Sequence, residues 1–131
     1  MDHAEEQFRT AISLFPLNFN AHNLLGKLYF DTKRIPEAEQ QFLQSLQCEP
    51  NLAAYDYLGY SYMQQGESDK AEETFKAALR FNRADSHAHF NLGKIYISAG
   101  RKREAEEELE AALSSDPNNA EIRAALQRVR Q

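Results

Sequence analysis

Cysteine occurs once in this chain of 131 residues, at Cys48, so no disulfide can close within it. That leaves the compartment open, with the cytoplasm slightly favoured. Proline and glycine are also scarce, at four and five residues, while Ala, Leu, Glu, Gln, Lys and Arg abound. These strong helix formers make an all-helical chain the leading expectation. No apolar run approaches the roughly 20 residues of a membrane-spanning helix, so no membrane insertion is expected. The opening stretch, MDHAEEQFRT, carries acidic residues and no apolar segment, unlike a signal peptide. Basic charge is in deficit: 15 Lys and Arg against 20 Asp and Glu give a formal net charge of -5. The densest basic cluster, Arg101 to Arg103, is followed at once by Glu104. Phosphate neutralisation needs the opposite balance, so nucleic acid is not an expected partner. With 42% hydrophobic residues, the chain nevertheless has the material for a buried core.

What the chain does have is self-similarity. Leu25 and Gly26 precede Tyr29, Leu58 and Gly59 precede Tyr62, and Leu92 and Gly93 precede Tyr96. The glycines are 33 and then 34 residues apart. Each is followed at a constant offset by an alanine (Ala38, Ala71, Ala105), and four residues on by a large apolar residue (Phe42, Phe75, Leu109). A small residue comes next (Ser45, Ala78, Ala112), then Leu46, Leu79 or Leu113. A period near 34 with these features in phase predicts stacked helical hairpins.

Each period reads as two helices. Tyr55, Leu58, Tyr62 and Met63 fall at helical spacing, as do Ala71, Phe75, Ala78 and Leu79. Between them, Gly66 can end one helix and the polar residues after it can cap the next. Pro36 occupies the equivalent point in the first period, where the missing N–H costs nothing. Pro16, Pro50 and Pro117 each stop a second helix, with Arg83 in that place in the middle. The repeated Gly and Ala allow two helix backbones to approach closely.

This pattern resembles the tetratricopeptide-repeat family over nearly the whole chain. The resemblance implies an all-α, right-handed helical solenoid forming a single domain over 1–131. Three full repeats cover 19–51, 52–85 and 86–119; a half repeat at 2–15 precedes them and a capping helix at 120–131 follows. In the last helix Ile122, Leu126 and Val129 keep an inward stripe, whereas Arg123, Gln127 and Arg130 stand where partner-facing residues would be, as befits a solenoid cap. The half repeat shows no such adaptation. Its Phe8 and Ile12, beside the small Ala4 and Ala11, suit a helix covered by an absent partner. The expectation is therefore a C-terminal segment of a longer array, able to form homo-oligomers through Phe8 and Ile12.

In such a stack the first helix of each hairpin lines a concave groove. The resemblance places partner contacts at Asn20, Asn23, Lys27 and Phe30 in the first repeat. The second repeat offers Asp56, Tyr57, Tyr60, Met63 and Gln64, and the third His87, Phe90, Asn91, Lys94 and Ile97. Aromatics give contact area at low entropic cost, and amides can bond an extended peptide backbone. Phe30, Met63 and Ile97 recur at one phase and also fit packing between helices. Chaperone-binding members of the family hold a terminal carboxylate with Lys and Asn, then Asn, then Lys and Arg. The matching positions here are Asn23 and Lys27, Tyr57, then His87 and Asn91; one repeat later they are Asp56 and Tyr60, Asn91, then Glu121 and Ala125. Neither set makes that clamp. Other arrays of the family grip peptide backbone with an Asn just before the Leu-Gly pair, a place held here only by Asn91.

Residue types that carry chemistry are present without the arrangement it needs. His87 and His89 point to opposite sides of a helix and cannot chelate together, and no HExxH or CxxC pattern exists. His22 and His89 share a phase with Tyr55 and read as near-core residues. Asp85, Ser86 and His87 are adjacent, which forbids triad geometry, and Asp85 or Ser86 suits a helix cap. The acidic run from Glu104 to Glu110, with Glu39, Glu72 and Glu73 at matching phases, reads as a solvated outer face. No cofactor, metal or catalytic centre is expected. The expected function is a non-catalytic scaffold that holds a protein or peptide, with oligomerisation or a docking arm of a larger enzyme as alternatives.

Overall fold

A computed structural model describes residues 3–131; Asp2, the first residue of the expected half repeat, lies outside the described residues. Eight helices and no strand are found among them: α1 (His3–Leu14), α2 (Phe19–Asp31), α3 (Ile35–Cys48), α4 (Leu52–Gln64), α5 (Ser68–Phe81), α6 (Ser86–Ser98), α7 (Lys102–Ser115) and α8 (Ala120–Val129). The chain divides into two compact units, Met1–Ala71 and Glu72–Gln131, the division falling inside α5. The sequence reading took one domain over 1–131. In a repeat array each hairpin touches only its neighbours, so contacts cluster locally along the chain.

Local signals set the helix ends. α2, α4, α6 and α8 each start behind a side-chain cap at one repeat phase: Asn18, Asn51, Asp85 and Asn119 accept from backbone N–H groups of the first turn. Pro36 sits in the first turn of α3. α2, α4 and α6 end in one closure, in which Arg34, Glu67 and Arg101 donate their backbone N–H to the carbonyls of Tyr29, Tyr62 and Tyr96. The residue before each donor is left-handed. Gly66 and Gly100 meet this at φ 75°, and Lys33 does so with a side chain at φ 67°.

In the first unit α1 packs on α2, α2 on α3 and α3 on α4, while α2 also touches α4. The core is Leu25, Tyr29, Ala38, Phe42 and Leu58, with Phe8 and Ile12 partly buried against it. In the second unit α6 packs on α7 and α7 on α8, around Leu109, Ala125, Leu126 and Val129. The paired helices approach at glycine. A Cβ on Gly26 would lie 2.7 Å from Phe42 Cε1, and one on Gly93 would lie 2.8 Å from Leu109 Cδ2. Phe42 and Leu109 are themselves 0% exposed.

Polar ties run between the same elements. Tyr29 donates to Glu5 Oε2 at 2.7 Å, Arg34 Nη1 reaches Glu5 Oε1 at 3.0 Å, and the Arg34 guanidinium lies 4.2 Å from the Tyr29 ring centre. The second unit repeats this: Tyr96 donates to Glu72 Oε2 at 3.0 Å, and Arg101 lies 4.4 Å from the Tyr96 ring centre. The Tyr29 hydroxyl, helped by Arg34 and Arg9, holds the Glu5 carboxyl below its usual range, and Lys76 with Tyr96 does the same for Glu72. These contacts correct the reading of the acidic positions as a purely solvated face. Glu39 accepts from Gln65 at 2.8 Å, Glu106 and Glu110 pair with Arg130, and Glu108 pairs with His89. Arg130 of the expected bare cap face is thus tied to α7.

His22 and His89 each bridge a following helix and a preceding loop. His22 contacts Gln41 Oε1 at 2.9 Å and the Pro16 carbonyl at 3.2 Å. His89 contacts Glu108 Oε2 at 2.7 Å and the Arg83 carbonyl at 2.9 Å. Both partners of His89 are acceptors, so both ring nitrogens carry hydrogen in the satisfied state. Its pKa is raised above the ordinary imidazole value, chiefly by the Glu108 carboxylate.

Two outcomes follow. Gly26→Ala gains helix propensity but forces a methyl into a locked ring, for a net loss of about 1–2 kcal/mol in urea unfolding; shortening Phe42 to Leu in the same chain restores part of it. For His89, the raised folded pKa means that its contribution is complete below its ordinary pKa and disappears as pH climbs through the folded value. Glu108→Gln therefore brings the NMR titration of His89 back toward 6.5 and removes about 1 kcal/mol of stability at pH 6 but less at pH 8.

Candidate binding faces on the first helices

The helices that open each hairpin, α2 and α4 in one unit and α6 and α8 in the other, each present a face that the core does not use. In the first unit this face is aromatic. Phe30 of α2 lies with its ring centre 5.7 Å from that of Tyr57, edge to face, and 6.4 Å from that of Tyr60. Tyr57 and Tyr60 are 5.7 Å apart at 89°. The cluster is rooted in the core because Tyr57 also stacks on Phe42 at 5.4 Å and 14°. Phe30, Tyr57, Tyr60 and Met63 are half-buried, while Asn20, Lys27 and Gln64 are exposed around them. A surface of ring edges held by a buried ring is rigid before any partner arrives.

Asn23 was expected at the same face. It is half-buried, and its Nδ2 donates to Asn51 Oδ1 at 2.9 Å, the oxygen that also caps α4. Its own Oδ1 is buried without a hydrogen-bond partner. The amide therefore ties α2 to α4, and Asn51 Nδ2 continues the tie to Ser45 of α3 at 3.0 Å.

In the second unit the face is a cleft of about 410 Å³ between α6 and α8. Phe90, Lys94 and Ile97 line one side, and Glu121, Ala125 and Arg128 the other. The Lys94 ammonium lies 5.2 Å from the centre of the Phe90 ring, a cation–π contact. Ile97 is 44% exposed, large for an aliphatic side chain. A second cleft of about 350 Å³ shares Ile97, Arg128 and Val129 with the first and reaches Lys102.

Two expected contact residues are not on these faces. Asp56 is 8% and Asn91 5% exposed. Asn91 lies on the side of α6 that buries Ala88 and Ile95, three before it and four after, and its Nδ2 donates to the His87 carbonyl at 2.7 Å. Its amide serves its own helix, which removes the one place where backbone gripping was read. His87 is exposed in the first turn of α6.

The α8 side of the cleft escaped the sequence reading, which treated that helix as a cap only. The signal was present, since Arg128 stands 34 residues after Lys94, at the phase of Lys27 and Tyr60. Carrying the lysine phase one period further finds it. Among the described residues no helix is long and apolar enough to cross a membrane.

Comparisons with known proteins agree with this architecture. Two family models, both described as Tetratricopeptide repeat, match residues 62–129 and 2–53. Superkiller complex protein 3 of Mus musculus is 30% identical over 100 residues, 73% of this chain but only 6% of that protein's length. Among solved structures, MamA superposes with a TM-score of 0.88 at 20% identity, over 98% of this chain and 83% of its own. The first TPR of Spaghetti (RPAP3), solved bound to the HSP90 peptide SRMEEVD, gives 0.82 at 22% identity, over 86% and 90%. At such identities the likeness of the structures shows the fold, and the family models show the lineage. The chain belongs to the tetratricopeptide-repeat family, an all-α protein-interaction scaffold.

Proposed function

We propose that this chain binds an extended peptide segment of a partner protein along the faces of its first helices and performs no chemistry itself. The observation that carries the reading is the pair of pre-formed faces, one in each unit. The Phe30, Tyr57 and Tyr60 cluster is anchored on buried Phe42, and the cleft between α6 and α8 is lined by Phe90, Lys94 and Ile97. Rigid aromatics beside exposed polar side chains suit a peptide, because area is buried without ordering many rotamers. The peptide held by the first TPR of Spaghetti (RPAP3) supports the class of ligand, not its identity. The positions of a chaperone-type clamp carry other side chains here, so a different sequence preference is expected.

The test is selection of binders from a random-peptide display library, followed by titration against Tyr60→Ala and Phe90→Ala chains. Loss of tenfold or more in affinity from either change, about 1.4 kcal/mol, with unaltered thermal unfolding, is the expected result. Recovered peptides that bind both variants as well as the parent would refute the reading.

A second reading, self-association, is supported by one observation. Phe8 and Ile12 are partly buried against the core of the first unit, so they are not the bare surface that the sequence implied. The exposed apolar side chains nearby are Leu14 at 68%, Phe15 at 65% and Leu17 at 83%. Under this reading Leu14→Ser with Leu17→Ser converts a concentration-dependent sedimentation profile to a monomer. A parent chain that is monomeric at high concentration disposes of it.

A further inference from the structure

The connection between α5 and α6 is held differently from its counterparts. It carries Arg83 where the connections before α2, α4 and α8 carry Pro16, Pro50 and Pro117, so no ring fixes the backbone there. Among the described residues its backbone-to-backbone bonds stay local: Asn82 N–H donates to the Ala78 carbonyl at 2.8 Å and Asp85 N–H to the Asn82 carbonyl at 3.2 Å. The reach to α7 comes from His89. Its Nε2 holds the Arg83 carbonyl at 2.9 Å while its Nδ1 holds Glu108 Oε2 at 2.7 Å.

The first unit contains the same bridge with one change. His22, Pro16 and Gln41 stand two periods before His89, Arg83 and Glu108, and His22 makes the equivalent contacts at 3.2 and 2.9 Å. Gln41 is an amide, which accepts from a protonated Nδ1 or, turned over, donates to an unprotonated one. Ionised Glu108 only accepts. The bridge of the first unit therefore suits either state of its histidine, whereas that of the second needs a hydrogen on both ring nitrogens. The groups around His89 favour that state. Glu108 faces it from α7, and the charge of buried Asp85, whose Oδ2 has no hydrogen-bond partner, adds to it from the connection. Lys76, Arg80 and Arg83 act against the proton, since they line with Glu108 a cavity of about 390 Å³; Lys76 is itself paired with Glu72 at 2.9 Å. The carboxylates prevail, and the imidazole keeps its proton above its ordinary pKa.

We infer that His89 is a proton-operated latch: with its proton it ties the α5–α6 connection to α7, and without it one of the two bonds breaks and the connection opens. The hold is complete below the ordinary imidazole value and is lost as pH climbs through the raised one. Because α6 begins at Ser86, opening reaches the first turn of the helix that carries Phe90. None of the latch groups lines the cleft between α6 and α8, so the latch is independent of what binds there.

The test is amide hydrogen exchange from about pH 6 to about pH 8.5, expressed as protection over the intrinsic rate at each pH. Protection of Asp85, His87 and His89 falls roughly fivefold or more, with its midpoint at the NMR titration of the His89 ring, while the equivalent Asn18, Asn20 and His22 keep theirs. Glu108→Gln, which copies Gln41, makes the second connection indifferent to pH, and Gln41→Glu installs the response in the first. Both exchanges conserve side-chain size, and the Glu108→Gln chain decides alone if the other unfolds. Low urea leaves the exchange of Asp85 and His89 unchanged, because only a short connection opens, whereas Leu109 in the core responds. Protection in the parent that is flat across this pH range overturns the latch. So does a fall that survives Glu108→Gln, one that tracks Leu109 in urea, or one whose midpoint departs from the titration of His89.

Discussion

The structure depends on the closeness of two helix backbones at a glycine. At Gly26 and Gly93 there is no room for even one more carbon, because Phe42 or Leu109 already occupies it. Interiors at this density tolerate little change in volume. The large residue fixes the separation of the two helices, and the small one fixes where along the first helix contact occurs. Once that distance is set, the tyrosine three residues on is carried to the glutamate of the preceding helix, as with Tyr29 and Glu5 or Tyr96 and Glu72. The histidine four residues before the glycine is carried to its brace on the second helix, as with His22 and Gln41 or His89 and Glu108. A single steric fit thus places polar contacts that lie well away from it.

The middle hairpin shows which of those contacts the fold requires. After α2 and α6 the order of charges is Arg then Glu, in the pairs of Arg34 with Glu37 and Arg101 with Glu104. After α4 it is reversed, Glu67 with Lys70 at 3.7 Å. Yet a cation still covers the tyrosine ring, since Lys70 stands 5.7 Å from the centre of Tyr62 where arginines cover Tyr29 and Tyr96. The identity and order of the charged residues have changed while the arrangement of a positive group on a ring face has not. Exposed ion pairs contribute little individually, so their order is free to drift. The ring must be covered on one side, and a long basic side chain does that with its stem as well as its charge.

Helix positions and the core were legible in the sequence because they rest on phase. Leu25, Gly26, Ala38 and Phe42 recur one period on, and burial follows the recurrence. The caps at Asn18, Asn51, Asp85 and Asn119 were equally periodic, and only Asp85 had been read as one. The candidate faces were less legible. Phase assigns a residue to a side of a helix, but a residue at the edge of that side turns inward or outward according to its neighbours. Asn91 went inward to the His87 carbonyl and Phe30 stayed at the surface. The acidic positions failed for a different reason. A glutamate on the outer helix looks solvated until the tyrosine or histidine that reaches it from another helix is known, and no local spacing announces such a partner.

These observations separate side chains that build from those left over. Asn23, Asp56 and Asn91 suited a ligand by type, but Asn23 and Asn91 are committed to the fold's own hydrogen bonds, and Asp56 and Asn91 are buried. The exposed ones are Lys27, Gln64, Lys94, Ile97 and Arg128, while Phe30, Tyr60 and Phe90 are half-buried. They all lie on first helices, on sides of α2, α4, α6 and α8 that the core does not fully cover. A bare stripe costs stability wherever it is apolar, as at Ile97, since packing offers better uses for such a residue. Ile97 is nevertheless left exposed on α6, where it lines the cleft with Phe90 and Lys94, so that cost falls where the proposed peptide would lie.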